Sequence, residues 1–236
     1  MHMRESIVLV PGIDGTGVSF HRQVPILERK YAVTRTQLRD DDRHRMSDLI
    51  DDLRSVVEES GDPVTLIGES FGGALAMSFA LEHPERIRRL VIVNSFAHFD
   101  SQAQLRLAYH LTRAMPWGLM PIARRMATSR MHSPHTEPDV IREYQQLMRG
   151  SKKSGILARM RILRDYDVRG RLSTLQAPVL FLAADLDNLV PSVEQATLMQ
   201  RLAPRATMRI LKGHGHTCLI APDIDLANIL DEWQPS

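Results

Sequence analysis

"VTLIGESFGGALAMSFA", residues 64–80, passes from β-branched residues through a glycine cluster into an alanine-rich segment, with "GESFG" at its centre and Ser70 between Gly68 and Gly72. A strand ending at Ile67 that hands over through G-x-S-x-G to a helix is a setting in which a serine stands exposed on a sharp turn. On these residues alone three readings stay open. Ser70 is a nucleophile held on a strained corner; or the glycines only build a tight turn that Ser70 caps; or the loop cradles a phosphate on its backbone amides. The remaining sequence has to decide, because a nucleophilic serine needs a base, an acid that orients the base, and donors for an oxyanion.

Outward from this stretch, short apolar runs alternate with helix-period segments. "SIVLV" (6–10), "AVTRTQL" (32–38), "VTLIG" (64–68), "RLVIVN" (89–94), "VLFLAA" (179–184) and "TMRIL" (207–211) read as strands. The third to fifth are nearly continuous in apolar character, as strands buried on both faces of a parallel sheet must be. Helices are expected over 18–30, 46–60, 72–82, 192–203 and 223–233. In the second of these Met46, Leu49, Ile50, Leu53, Val56 and Val57 recur at three- and four-residue steps, and Gly61-Asp62-Pro63 ends the segment. The βαβ rhythm predicts an α/β sheet with right-handed crossovers and helices on both faces.

Residues 96–176 break that rhythm with helical spacing, Pro116 and Pro121 as breakers, and no strand-like run. They read as a helical cap insert between core segments 1–95 and 177–236. The insert is cationic: residues 101–170 hold 13 Lys and Arg against 5 Asp and Glu, whereas the remainder holds 17 against 23.

Composition narrows the class of protein. With 43% apolar and 25% charged residues and a formal net charge of +2, the 236-residue chain suits one globular domain and is no polyanion binder by charge alone. No run reaches the roughly 18–20 apolar residues of a membrane span, "MHMRESIVLVPG" lacks the pattern of a signal peptide, and Cys218 is the single cysteine. A cytoplasmic setting is expected, with neither nucleic acid nor integral membrane contact as partner. The oligomeric state is not legible.

Three further segments bear on Ser70. "ILKGHGHTCLIAP" follows the last strand, and His216, preceded by glycine and soon followed by a helix, is the favoured base over His214. "VLFLAADLDNLVP" ends a buried strand with two candidate acids, Asp185 and Asp187. "VLVPGIDGTG" places Gly12 after the first strand, where the turn can aim the Ile13 N–H at Ser70; the Phe71 N–H at the helix start is the second oxyanion donor.

The ordered set "PGIDGTG", "GESFGG", "DNLVP" and "GHGH", each after a predicted strand, resembles the α/β-hydrolase superfamily of serine hydrolases over nearly the whole chain. The resemblance implies Asp187, four residues before Pro191, as the acid and His216 as the histidine of the G-x-G-H-like turn. Pro11-Gly12 stands where many members have His-Gly, which leaves the backbone donor in place. The family's N-terminal antiparallel hairpin has no counterpart, so about six strands, mainly parallel, are expected. The glycines of "PGIDGTG" do not have dinucleotide-fold spacing, no P-loop motif exists, and a serine nucleophile fits neither dehalogenases nor epoxide hydrolases.

The resemblance implies a carboxylic-ester hydrolase with Ser70, Asp187 and His216 catalytic and Ile13 and Phe71 forming the oxyanion hole. Neither cofactor nor metal is needed; His214 and His216 are two apart with no further evident ligand set. The substrate would be a small-molecule acyl ester, or a thioester drawn by the cationic insert. Met115, Met120, Met126, Met131, Met148 and Met160 with Trp117 would either line an acyl site or hold the insert together. Alternatives are an acyl thioesterase or acyltransferase with the same residues, and a non-catalytic ligand-binding member of the fold.

Overall fold

The computed structural model describes residues 4–61, 63–99, 101–119, 122 and 131–233. Six strands, β1 (Ser6–Val10), β2 (Ala32–Arg35), β3 (Val64–Glu69), β4 (Ile87–Val93), β5 (Val179–Ala184) and β6 (Ala206–Leu211), form one sheet in the order β2-β1-β3-β4-β5-β6. Every pairing is parallel. The chain runs from β1 outward to β2 and then returns past β1 to β3, so the direction of winding reverses between β1 and β3. Ligands of open α/β sheets bind outside the carboxyl ends of the strands at such a switch point.

The alternation of side chains along the strands explains why the central runs are apolar throughout. Val8, Val10, Val64, Leu66, Leu90, Ile92, Val179 and Phe181 enter one core layer. Ile7, Leu9, Ile67, Val91, Val93, Leu180 and Leu182 enter the layer on the opposite face. The first layer is closed by α2 (Met46–Glu59), α3 (Phe71–Glu82) and α7 (Ser192–Leu202), the second by α1 (Val24–Leu27) and α8 (Leu226–Glu232). Helix α3 is buried at every residue from Phe71 to Ala80. Its alanines and glycines let the backbone lie close against β3 and β4, which it contacts most.

Three segments differ from the sequence expectation, the first being the strand expected over 32–38, which ends at Arg35. The helix expected over 18–30 is a single 3-10 turn, Val18–Phe20, followed by the one-turn α1. Gly17 enters with φ +74° and Pro25 cannot donate to a continuous ladder, while the Gln23 side chain is drawn across to the Leu219 and Ile224 carbonyls. The helix expected from residue 223 starts only after Asp225, whose carboxylate accepts from the Asn228 N–H at 2.9 Å as an N-cap. Asp223 is thereby left on the preceding loop.

Between β4 and β5 the described residues are helical: α4 (Gln102–Ala114), α5 (Pro138–Leu147) and α6 (Lys153–Asp165), with 3-10 turns at Trp117–Leu119, Met148–Gly150 and Arg169–Thr174. Helix α4 packs on α6. Met115, Met131, Met148 and Met160 are half-buried here, whereas Met120, Pro121 and Met126 lie outside the described residues. No helix among the described residues is long and apolar enough to cross a membrane.

Candidate active site

Ser70 joins β3 to α3 with φ +55° and ψ −122°, a conformation an L-residue adopts only under restraint. Its neighbours supply that restraint. The Ser70 N–H donates to Val93 O at 2.9 Å, and its carbonyl accepts from Ser95 Oγ at 2.7 Å and from the Gly73 N–H at 2.9 Å. A Cβ at position 68 would strike the Gly72 carbonyl, and one at position 72 would strike the Val10 carbonyl at the end of β1. The two outer glycines of GESFG therefore let helix, corner and adjacent strand approach closely, with the serine side chain aimed out of the sheet edge.

His216 lies on the loop after β6 and Asp187 on the loop after β5. His216 Nε2 is 3.0 Å from Ser70 Oγ, and its Nδ1 is 2.7 Å from Asp187 Oδ2. Asp187 Oδ1 accepts the Leu189 and Val190 N–H groups at 2.9 and 3.0 Å, and Oδ2 accepts the Ser192 hydroxyl. With both oxygens occupied as acceptors, Nδ1 must donate, so Nε2 faces Ser70 as a free lone pair. Asn94, at φ +47° after β4, holds this loop from below. Its Nδ2 donates to His216 O at 2.7 Å and its Oδ1 accepts the Ala184 N–H at 2.8 Å.

The electrostatics follow from burial and these contacts. Burial works to lower the His216 pKa, but the charge and hydrogen bond of Asp187, with the charge of Glu69 added, hold it above its ordinary value. Burial would raise Asp187, yet the charge and hydrogen bonds it receives keep it below the usual carboxylate range. Glu69, the second residue of GESFG, is a further buried carboxyl group. Burial pushes its pKa up to about 7, against the opposing charge of His216. Its Oε1 is 3.9 Å from His216 Nε2, and its Oε2 accepts from Ser19 Oγ at 3.2 Å.

The turn after β1 stands beside Ser70, because Val10 pairs with Gly68 across the β1–β3 ladder. A Cβ built on Gly12 would lie 3.5 Å from Ser70 Cβ and 2.7 Å from Glu69 Oε2. The Gly15 N–H donates to Gly12 O at 3.0 Å, which fixes the peptide plane that carries the Ile13 N–H. Phe71 is the first residue of α3, where no preceding turn supplies an acceptor for its N–H.

A residue that sequence reasoning missed braces this turn. Arg159, on α6, is fully buried. Its Nε donates to Ile13 O at 2.8 Å, Nη1 to Arg39 O at 2.9 Å, and Nη2 to Asp14 O at 3.2 Å and Asp40 Oδ1 at 3.3 Å. Room for the guanidinium depends on Gly15, at φ +77°, and on Gly155; a Cβ on either would collide with it. An arginine in a basic helix reads as a solvated charge, so nothing in the sequence signalled its burial. Glu69 had a clearer signal, an acidic residue ending a nearly continuous apolar run that forms a fully buried strand.

The other singled-out residues stand apart. Asp185 is exposed and accepts the Gly213 N–H at 2.7 Å. His214 points away from Ser70, to Ser133 Oγ at 2.9 Å and Asp223 Oδ2 at 3.4 Å. Cys218 is a fully buried free thiol. A cleft of about 670 Å³ lies elsewhere: it is lined in part by Arg43, Arg45, Arg161 and Arg171, and none of Ser70, His216 or Asp187 borders it.

A family model described as "Serine aminopeptidase, S33" matches residues 38–223. "Phytyl ester synthase 1, chloroplastic" of Arabidopsis thaliana is 25% identical over 256 residues, 95% of this chain; the chain spans only 36% of that relative. "Pimeloyl-[acyl-carrier protein] methyl ester esterase" of Photobacterium profundum is 26% identical over 247 residues, 96% of this chain and 93% of the relative. Among solved structures, the enol-lactonase from Burkholderia xenovorans LB400 superposes with a TM-score of 0.82 at 18% identity, covering 96% of this chain and 88% of that one. At that identity the likeness speaks to fold alone.

Proposed function

The chain belongs to the serine aminopeptidase S33 family of the α/β-hydrolase superfamily, and on that premise we propose that it is a carboxylic-ester hydrolase working through an acyl-enzyme on Ser70. The observation that carries this reading is the unbroken buried line Ser70 Oγ, His216 and Asp187, at 3.0 and 2.7 Å.

In the proposed reaction Ser70 Oγ attacks the ester carbonyl carbon while His216 Nε2 takes its proton. The Ile13 and Phe71 N–H groups hold the negative oxygen of the tetrahedral intermediate; one such donor is worth about 100- to 1000-fold in rate. The carbonyl–oxygen bond to the alcohol then breaks, and His216 returns its proton to the departing alkoxide. Water, deprotonated by His216, attacks the acyl-enzyme; the acid leaves as Ser70 regains the proton. Asp187 keeps the imidazole in the reactive tautomer and stabilises the imidazolium. Residues 96–176 serve as the cap over this site, and the setting is cytoplasmic.

The test is hydrolysis of p-nitrophenyl esters from acetate to palmitate, wild type beside Ser70→Ala, with fluorophosphonate labelling of both. Turnover and labelling lost together in Ser70→Ala support the reading; ester turnover that survives the substitution refutes it. A second reading keeps the residues and changes leaving group or acceptor, to a thioesterase or acyltransferase. It is favoured by the cationic stretch 101–170 and by a relative named as an ester synthase. Turnover of acyl thioesters exceeding that of matched oxygen esters, or transfer to added alcohol outpacing hydrolysis, would select it.

A further inference from the structure

On the far side of the His216 loop, three side chains from three separated segments converge: His135 ahead of α5, His214 after β6, and Asp223 ahead of α8. Their ligand atoms all lie within 4.8 Å of one another. His135 Nε2 is 2.9 Å from Asp223 Oδ1, and His214 Nε2 is 3.4 Å from Asp223 Oδ2. We infer that these three residues form a binding site for a divalent transition-metal cation of the zinc(II) type, which would fasten the segment around His135 to the loop that carries His216. The inference is independent of the hydrolytic reading, since it concerns binding alone.

Geometry is the first ground. A tetrahedral zinc site with ligands at about 2.0–2.1 Å sets neighbouring ligand atoms about 3.3 Å apart. The two histidine–carboxylate separations, 2.9 Å to Oδ1 and 3.4 Å to Oδ2, bracket that value, and no pair of ligand atoms is more than 4.8 Å apart, so a cation is enclosed once the exposed His135 and Asp223 side chains close in by up to about 1.5 Å. Two imidazoles and one carboxylate are the donor set that borderline cations prefer, and three protein ligands leave a fourth position for water. His135 and Asp223 are open to solvent, with side-chain exposures of 43% and 54%, which provides the entry path.

The second ground is the support behind the buried ligand. A metal-bound imidazole is usually oriented by a hydrogen bond on its other nitrogen. His214 Nδ1 lies 2.9 Å from Ser133 Oγ, and Ser133 is itself buried and accepts the Gly215 N–H at 3.3 Å. This arrangement turns Nε2 of His214 outward onto Asp223. Around it the two segments are already fitted together: the Thr217 N–H donates to Met131 O at 3.0 Å, and a Cβ on Gly215 would collide with the Met131 and His132 carbonyls. The site thus joins at a seam that backbone packing has brought into register. Ligands at positions 135, 214 and 223 follow no short spacing, which is why the sequence showed no ligand set.

The rival account makes Asp223 only a hydrogen-bonding bridge between two histidines, and metal titration separates the two. Zinc(II) is titrated calorimetrically into the chelator-treated full chain carrying Ser70→Ala, which removes turnover from the measurement. His135→Ala and Asp223→Asn are compared in the same background. Saturable one-to-one binding, weakened at least about tenfold by either substitution and by Ser133→Ala, is the expected result. Cobalt(II) should give the intense visible bands of four-coordinate geometry, absent in His135→Ala, and zinc should raise the melting temperature only where both ligands remain. Absence of saturable binding would overturn the inference. So would zinc affinity unchanged in both variants, which would place the ion elsewhere, such as at His216 and Asp187.

Discussion

Asp187→Asn isolates the role given to the acid. The two Asp187 oxygens are not equivalent: Oδ1 accepts two backbone N–H groups and cannot be replaced by an NH2 group without setting donors against donors. The asparagine amide must therefore place its NH2 at the Oδ2 position, where the Ser192 hydroxyl can turn to accept and where His216 Nδ1 is 2.7 Å away. An NH2 group there donates to Nδ1, which moves the imidazole proton to Nε2, and Nε2–H then presents a donor to Ser70. A forced tautomer of this kind costs about 10⁴ in turnover in the serine-protease precedent, or about 5 kcal/mol of barrier. The fold should survive, because the backbone hydrogen bonds are kept. The melting-temperature loss should be larger at pH 6 than at pH 9, since a His216 pKa raised by Asp187 gives stability that is present at low pH and lost as pH rises through it. The assay is kcat on a short p-nitrophenyl ester beside Asp185→Asn, which keeps an oxygen for the Gly213 N–H and should be nearly silent. An Asp187→Asn enzyme with more than about a tenth of wild-type kcat, or an inactive Asp185→Asn, would refute the reasoning.

Four other substitutions have signs fixed by the structure. Ser70→Gly removes the proposed nucleophile and relieves a strained φ of +55°, so ester turnover should vanish while thermal unfolding shifts upward by a few degrees, for about 1–2 kcal/mol of released strain. Glu69→Gln should move the acid limb of the kcat/KM profile to lower pH, because the Glu69 charge raises the His216 pKa. The same substitution should stabilise the protein at pH 8 but not at pH 5: a carboxyl raised from 4.5 to about 7 loses stability as pH climbs through that window, on the order of 3 kcal/mol in all. Arg159→Met unbraces the Ile13 turn and should lower kcat by up to about 100-fold with little change in KM. Gly15→Ala should act in the same direction, and an unchanged kcat in both would remove Arg159 from the oxyanion argument.

The parts of this molecule that were legible in its sequence are those governed by short-range pattern. Strands buried on both faces show as unbroken apolar runs, and β1 and β5 match their predicted limits residue for residue. Ser70, His216 and Asp187 were legible because each sits on a loop directly after a strand, where a short glycine- or proline-marked motif sets the local geometry. What stayed hidden depends on long-range contact. Nothing local marks Arg159 as buried beneath the turn after β1, or Asn94 as the support of a loop more than a hundred residues later. The helix expected over 18–30 breaks into two short turns because the backbone restrictions of Gly17 and Pro25 decide its shape.

The guanidinium of Arg159 also bears on how this protein could be re-engineered. Exchanging the connection between β4 and β5 for that of another member of the family would look like a modular swap. Yet it would withdraw the donors to the Ile13, Asp14 and Arg39 carbonyls, with each buried orphan costing about 1–3 kcal/mol. A graft would have to bring Arg159 and Gly155 along and find Gly15 waiting. The surface of α4 can be redesigned freely, whereas the inner face of α6 is inherited together with the turn it holds.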